Sequence, residues 1–161
     1  MLVWYVGLSV FLVATVFRSS GVDYRLIALG AVLPLAIDLP FGHRAYGHAL
    51  VVGVAALTIV MVGTIRRPRL LRRRLLCVPI GMLCGLVLSF AFANDHLFWW
   101  PFIGADYHHD ALLPSTWVVV GEELAGLVVC WVLVGLYDLY LPGPRRELLR
   151  TGRLPAHTAA S

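Results

Sequence analysis

The chain has 161 residues, of which 60% are hydrophobic and 14% are charged, and its formal net charge is +4. A typical soluble domain is about 45–50% apolar and about 25% charged. A soluble domain of this size cannot bury so much apolar surface, which excludes a disordered chain, a secreted disulfide scaffold and a soluble enzyme. The composition indicates a small multi-pass membrane protein.

Five apolar stretches follow one another along the chain, and each is a candidate membrane-spanning helix. They cover residues 2–17, 26–39, 49–65, 75–93 and 117–141. A helix needs about 20 residues to cross the hydrocarbon core, so the first two stretches cross only where the bilayer thins or helix ends fray. The sequence therefore predicts an all-α membrane bundle of five helices over residues 1–141, followed by a flexible tail at 142–161.

Arginine residues orient these helices, because loops rich in positive charge stay on the cytoplasmic side of a membrane. With five spans, the loop at 65–75, the tail and the ends of the first loop share one side and hold 12 of the 13 Arg residues. The exception is Arg44. We therefore predict an outer N-terminus and a cytoplasmic C-terminus. All 13 basic residues are Arg and none is Lys, which is typical of GC-rich bacterial genomes and indicates a bacterial cytoplasmic membrane. Membrane topology explains the Arg clusters, and the clusters also favour contacts with anionic lipid headgroups. We therefore expect membrane lipids, and no nucleic acid, as partners.

The same topology collects most His and carboxylate side chains at the outer face. They are Asp38, His43, His48, Asp95, His96, Asp106, His108, His109, Asp110, Glu122 and Glu123. These residue types are the usual ligands of zinc, iron and manganese, so the outer face is a candidate metal site. The alternative is that these loops are polar only because they are solvated.

The sharpest of these groups is Asp38, His43 and His48, which spans a helix end, a loop and the next helix start. A step of five residues rotates a side chain by roughly 140° on a straight helix, so a turn must bring the two His together. Asp38 at the edge of the hydrocarbon is costly unless it has a partner. The sequence leaves two partners open: a metal ion, or Arg44 in an ion pair without a metal.

The residues Pro34, Asp38, His43, Arg44 and His48 stand in the stretch VLPLAIDLPFGHRAYGHAL. This stretch resembles the motif region of a bacterial family of inner-membrane metal-dependent hydrolases, some described as LexA-binding. The segment LFWWPF at 97–102 resembles an aromatic segment of the same family. The resemblance covers roughly residues 30–104 and implies phosphoester hydrolysis at a metal centre, with zinc as the first candidate.

The chain departs from the family pattern at several of its motif positions. Leu35 stands where the family has its first Asp, and Gly85 and Ser89 stand where it has the His and Asp of an H-x-x-x-D motif. Ala49 follows His48 where a Ser is expected. Half of the ligands that the resemblance implies are therefore missing, unless Asp95, His96 or Glu122 replace them.

One function that follows is a metal-dependent hydrolase at the outer face, and its site is assigned residue by residue. The metal ligands would be Asp38, His43, His48 and His96. A bound metal lowers the pKa of its water toward about 7. Glu122 or Asp95 would act as the base, and Arg44 would neutralise a phosphate oxygen.

The alternative function is a non-catalytic membrane scaffold that has lost the hydrolase site. Gly81, Gly85 and Ser89 form a stripe of small residues, which is typical of close helix packing, with a partner helix or a second copy as the occupant. A transporter or channel subunit is a third reading, and the absence of an internal repeat in the sequence argues against a transporter acting alone.

Overall fold

A computed structural model describes residues 1–17, 21–93, 95–102 and 114–154, with the backbone alone for 95 and 96. These residues form α1 (Leu2–Phe17), α2 (Tyr24–Asp38), α3 (Leu50–Gly63), α4 (Arg69–Leu88), the single turn α5 (Asp95–Phe98), α6 (Thr116–Leu136) and α7 (Pro142–Thr151). Short 3₁₀ turns lie at Leu39–Phe41, Tyr46–His48 and Ala91–Ala93. The predicted all-α class is confirmed.

Within the described residues, two helical segments are long and apolar enough to cross a membrane, Tyr24–Phe41 and Thr116–Leu136, while α1 and α3 are apolar but shorter. Along α6 most apolar side chains point away from the bundle, and Trp117 and Trp131 are 85% and 77% exposed. A contiguous apolar surface of this kind suits a lipid environment. The structure therefore supports membrane-embedded helices, and the five-span topology stays a prediction.

The helix bounds follow the predicted spans closely except around α4 and beyond α6. The first predicted span coincides with α1, whereas α4 begins at Arg69, six residues before the predicted start at 75. Arg is a good helix former, so a polar stretch can extend an apolar helix. Residues 142–151, which the sequence analysis places in a flexible tail, form α7.

Helices α2 and α4 pack backbone against backbone. A Cβ atom added at Gly81 would lie 2.2 Å from the carbonyl oxygen of Ile27, and one at Gly85 would lie 2.3 Å from that of Ala31. These contacts advance together along both helices, so α2 and α4 run parallel. The small-residue stripe is therefore covered by α2 of the same chain, and is not the free partner surface that the scaffold hypothesis envisaged.

Helix α1 runs antiparallel to α2. Val13 and Tyr24 share one buried apolar cluster, and Tyr5 and Ala31 share another further along. The bundle thus has two distinct ends. Helices α2 and α4 begin at one end of the bundle, which we call the Arg-rich end. Helix α2 finishes at the other end, which we call the dyad end because Asp38 is paired there with His48.

Candidate functional site

The loop at the dyad end turns back over the last turn of α2. The 3₁₀ turn Leu39–Phe41 follows Asp38 directly, and Gly42 then adopts a left-handed conformation with φ of 69°. Such a conformation favours glycine, because a Cβ atom would be strained there. The chain then places the second 3₁₀ turn, Tyr46–His48, against α2.

Asp38 is fully buried and is the centre of this loop. Its Oδ2 accepts hydrogen bonds from the backbone N–H of Ala45 at 2.8 Å and from Nδ1 of His48 at 2.6 Å, and its Oδ1 accepts one from the N–H of Gly47 at 2.7 Å. The carboxylate partner is therefore His48. The alternative of an Asp38–Arg44 ion pair is wrong, because the loop directs its own amides and His48 at the carboxylate.

The Asp38 contact determines what the His48 ring can do. A carboxylate only accepts hydrogen bonds, so Nδ1 carries the proton and Nε2 of the neutral ring keeps its lone pair. The His48 side chain is 2% exposed. A carboxylate behind an imidazole is the arrangement that orients both metal-ligating and general-base histidines. We call this pair the Asp38–His48 dyad.

A second group of polar side chains is buried near the dyad end. The hydroxyl of Tyr5, Nε of Arg44 and Oε2 of Glu122 are all buried without a hydrogen-bond partner. The charges of Arg44 and Glu122 act electrostatically on the Tyr5 hydroxyl and on each other. Buried polar atoms without partners are rare in folded proteins, and they are the atoms that a polar ligand or an ordered water would satisfy.

The predicted ligands His43 and His96 occupy different positions around the dyad. Nδ1 of His43 lies 2.8 Å from the carbonyl oxygen of Phe41 in the exposed part of the loop. The turn α5, which carries Asp95 and His96, packs against the turn Tyr46–His48. The Tyr46 and Trp100 rings are in edge contact, with centroids 5.2 Å apart, which joins this segment to the dyad loop.

The metal prediction is not tested by these positions. Among the described side chains, no three His, Cys, Asp or Glu residues converge as metal ligands do. The side chains of Asp95 and His96, and the predicted residues Asp106, His108, His109 and Asp110, lie outside the described residues.

The positions that replace the H-x-x-x-D motif of the resembling family face the packed interior of the bundle. Gly85 has no room for any side chain against Ala31. The Ser89 hydroxyl is buried and donates a hydrogen bond to the carbonyl oxygen of Leu86 at 2.9 Å. Neither position supplies a ligand.

Sequence reasoning missed Tyr5, because a tyrosine in the first turn of an apolar helix is usually an ordinary core residue. Glu122 and Glu123 are neighbours on α6, and adjacent side chains on a helix point about 100° apart. The structure places both against α1: Oε2 of Glu123 accepts a hydrogen bond from the N–H of Val3 at 3.1 Å, while Glu122 lies near Tyr5.

The chain was compared with protein-family models, with curated proteins and with solved structures. No protein-family model, no curated protein and no solved structure matches the chain. The resemblance to inner-membrane hydrolases therefore depends only on the motif residues around Asp38 and His48 and on the aromatic segment at 97–102.

Proposed function

We propose that the chain is an integral membrane protein with a hydrolase-type site at the dyad end, on the outer face of the membrane. The observation that carries this proposal is the buried Asp38–His48 hydrogen bond of 2.6 Å. It holds an imidazole in one tautomer with Nε2 as the reactive nitrogen.

The donor set fits a divalent metal ion in part. Nε2 of His48 has the chemistry of a zinc ligand, while both oxygens of Asp38 are already occupied by hydrogen bonds. Packing of α5 against the Tyr46–His48 turn favours Asp95 and His96 as the remaining ligands. A bound metal would supply an activated water for attack on a phosphoester.

Arg44 and Glu122 supply a positive charge and a proton acceptor to the proposed site. Arg44 offers a guanidinium to a phosphate oxygen, and its buried unpartnered Nε is a donor ready for that contact. Glu122 offers a carboxylate oxygen that can take a proton from the attacking water and return it to the leaving oxygen of the phosphoester. Asp38 is a positioning residue, because it contacts only the protein.

A non-catalytic scaffold is the second candidate, and the packing of Gly85 against Ala31 favours it. The helix position at which the resembling family carries a ligand is closed to side chains. In this reading the Asp38–His48 dyad only holds the loop on α2.

The metal content of the detergent-purified protein, measured by elemental mass spectrometry, separates the two candidates. The hydrolase proposal predicts about one equivalent of zinc, manganese or iron in the wild type and none in His48→Asn. The amide nitrogen of Asn takes the place of Nδ1, so this variant keeps the hydrogen bond to Asp38 and loses Nε2. The loop is therefore expected to stay folded.

His157→Asn is the matched control, because it makes the same chemical change in the C-terminal tail, which we predict to be cytoplasmic. It is expected to keep the metal. A wild-type protein that holds no metal after incubation with each of the three ions would overturn the hydrolase proposal and leave the scaffold.

A further inference from the structure

A pocket of about 330 Å³ opens at the Arg-rich end, where α7 folds back over the beginning of α2. Its lining residues are Gly21, Val22, Asp23, Leu70, Arg74, Arg150, Thr151 and Arg153. The length of α2, 15 residues, separates this pocket from the dyad end by about 22 Å. The pocket is therefore a separate feature from the proposed hydrolase site.

Hydrogen bonds to two backbone carbonyl oxygens hold α7 in this position. The N–H of Tyr24 donates to the carbonyl oxygen of Gly152 at 2.7 Å, and Nη1 of Arg25 donates to that of Leu149 at 2.8 Å. Gly152 ends α7 in a left-handed conformation with φ of 74°, and its Cα packs on Asp23. The pocket wall is therefore a fixed part of the fold.

Asp23 anchors the floor of the pocket. Its side chain is 4% exposed and contacts Nη2 of Arg74 at 3.1 Å and Nε of Arg25 at 3.3 Å. Burial raises the pKa of Asp23, but the hydrogen bonds and charges of Arg25 and Arg74 outweigh burial and hold the pKa below its usual range. Asp23 is thus ionised at neutral pH, and its contribution to stability is lost only as the pH falls through that lowered pKa.

The residues that line the pocket include more Arg side chains than carboxylates. Arg74, Arg150 and Arg153 face one carboxylate, Asp23, so the lining carries an excess of two positive charges. No ion pair involves Arg150 or Arg153 within the described residues. Guanidinium groups without an acid partner, gathered in one concave site, match the charge and geometry of a phosphate group.

We propose that this pocket binds the phosphate group of a phosphoester, with Arg150 and Arg153 as its principal ligands and Arg74 beside them. Such a phosphoester is either the headgroup of an anionic lipid or a small soluble molecule. Leu70 and Val22 on the lining, beside the apolar helices, suit a lipid whose chains continue along the bundle.

Native mass spectrometry of the full chain, released from detergent, tests this proposal with dioleoylphosphatidylglycerol as the probe and dioleoylphosphatidylcholine as the neutral comparison. The wild type is expected to bind the first phosphatidylglycerol more tightly than phosphatidylcholine. The double variant Arg150→Gln/Arg153→Gln is expected to bind it at least about 10-fold more weakly, because two charge-assisted hydrogen bonds are lost.

Arg145→Gln/Arg146→Gln is the matched control, since it removes the same amount of charge from the same C-terminal segment at positions that do not line the pocket. It is expected to bind phosphatidylglycerol like the wild type. An equal loss in both double variants, or no preference of the wild type over phosphatidylcholine, would overturn the proposal in favour of diffuse charge attraction.

Glycerol 3-phosphate, added at millimolar concentration, distinguishes the two sources of phosphate. Displacement of phosphatidylglycerol from the wild type supports a phosphate site that takes soluble phosphoesters. Retention of the lipid, together with the loss in Arg150→Gln/Arg153→Gln, supports a lipid headgroup site.

Discussion

Gly85→Leu is expected to unfold the bundle or to leave it severely destabilised. The Cβ atom alone would lie 2.3 Å from the carbonyl oxygen of Ala31, and a backbone carbonyl in a packed helix cannot move aside like a flexible side chain. Overpacking of a core typically lowers the free energy of unfolding by about 1–3 kcal/mol. A clash with a backbone carbonyl is expected to lower it by about 3 kcal/mol or more. Equilibrium unfolding in mixed micelles measures the loss of stability. The absence of a monodisperse peak in size-exclusion chromatography indicates that the variant does not fold.

Gly121→Ala is the matched control for this prediction, since no atom lies within 4 Å of a Cβ added at Gly121. Alanine in a helix is more favourable than glycine by about 0.5–1 kcal/mol, so this variant is expected to be neutral or slightly more stable. A Gly85→Leu protein as stable as the wild type would contradict the backbone contact between α2 and α4. The same contact predicts that Gly85→His, which introduces the residue found at this motif position in the family that the sequence resembles, creates no ligand position.

Asp38→Ala is expected to cost the protein at least about 3 kcal/mol of unfolding free energy, because each buried donor left without its acceptor costs about 1–3 kcal/mol. The carboxylate accepts three hydrogen bonds, and its removal leaves the buried N–H groups of Ala45 and Gly47 without an acceptor. The free energy of unfolding in mixed micelles checks this value.

A double-mutant cycle with His48→Ala isolates the dyad itself. The hydrogen bond between Asp38 and His48 is expected to give a coupling energy of about 1.5–3 kcal/mol, the range for hydrogen bonds to charged groups. Additive effects of the two substitutions, with coupling near zero, would show that the 2.6 Å contact does not stabilise the loop.

Apolar composition was enough to predict the helices, because each buried or lipid-facing segment needs a continuous apolar run. The predicted span at 2–17 and the helix α1 coincide for this reason. The start of α4 and the helix α7 were missed because hydropathy says nothing about polar helices. Pro142 indicated a loop, yet proline is well tolerated at the first position of a helix.

The sequence placed Asp38 and His48 in one motif but did not pair them. Which partner a buried carboxylate takes depends on the path of the loop, here set by the left-handed Gly42 and by Gly47, where a Cβ atom would lie 2.4 Å from the carbonyl oxygen of Pro34. These are tertiary contacts that no residue spacing encodes. The charged neighbours of Tyr5 were hidden for the same reason, since they come from segments distant in the chain.

We predict that the dyad end and the Arg-rich end lie on opposite sides of a membrane. Single cysteines at Phe41 and at Arg69 report on the two ends, after the native cysteines are replaced by alanine. These are Cys77, Cys84 and Cys130. A membrane-impermeant maleimide applied to intact bacterial cells is expected to label Phe41→Cys, and to label Arg69→Cys only after the membrane is permeabilised. Labelling of both positions from the same side would contradict the membrane-spanning bundle and both sites assigned to its ends.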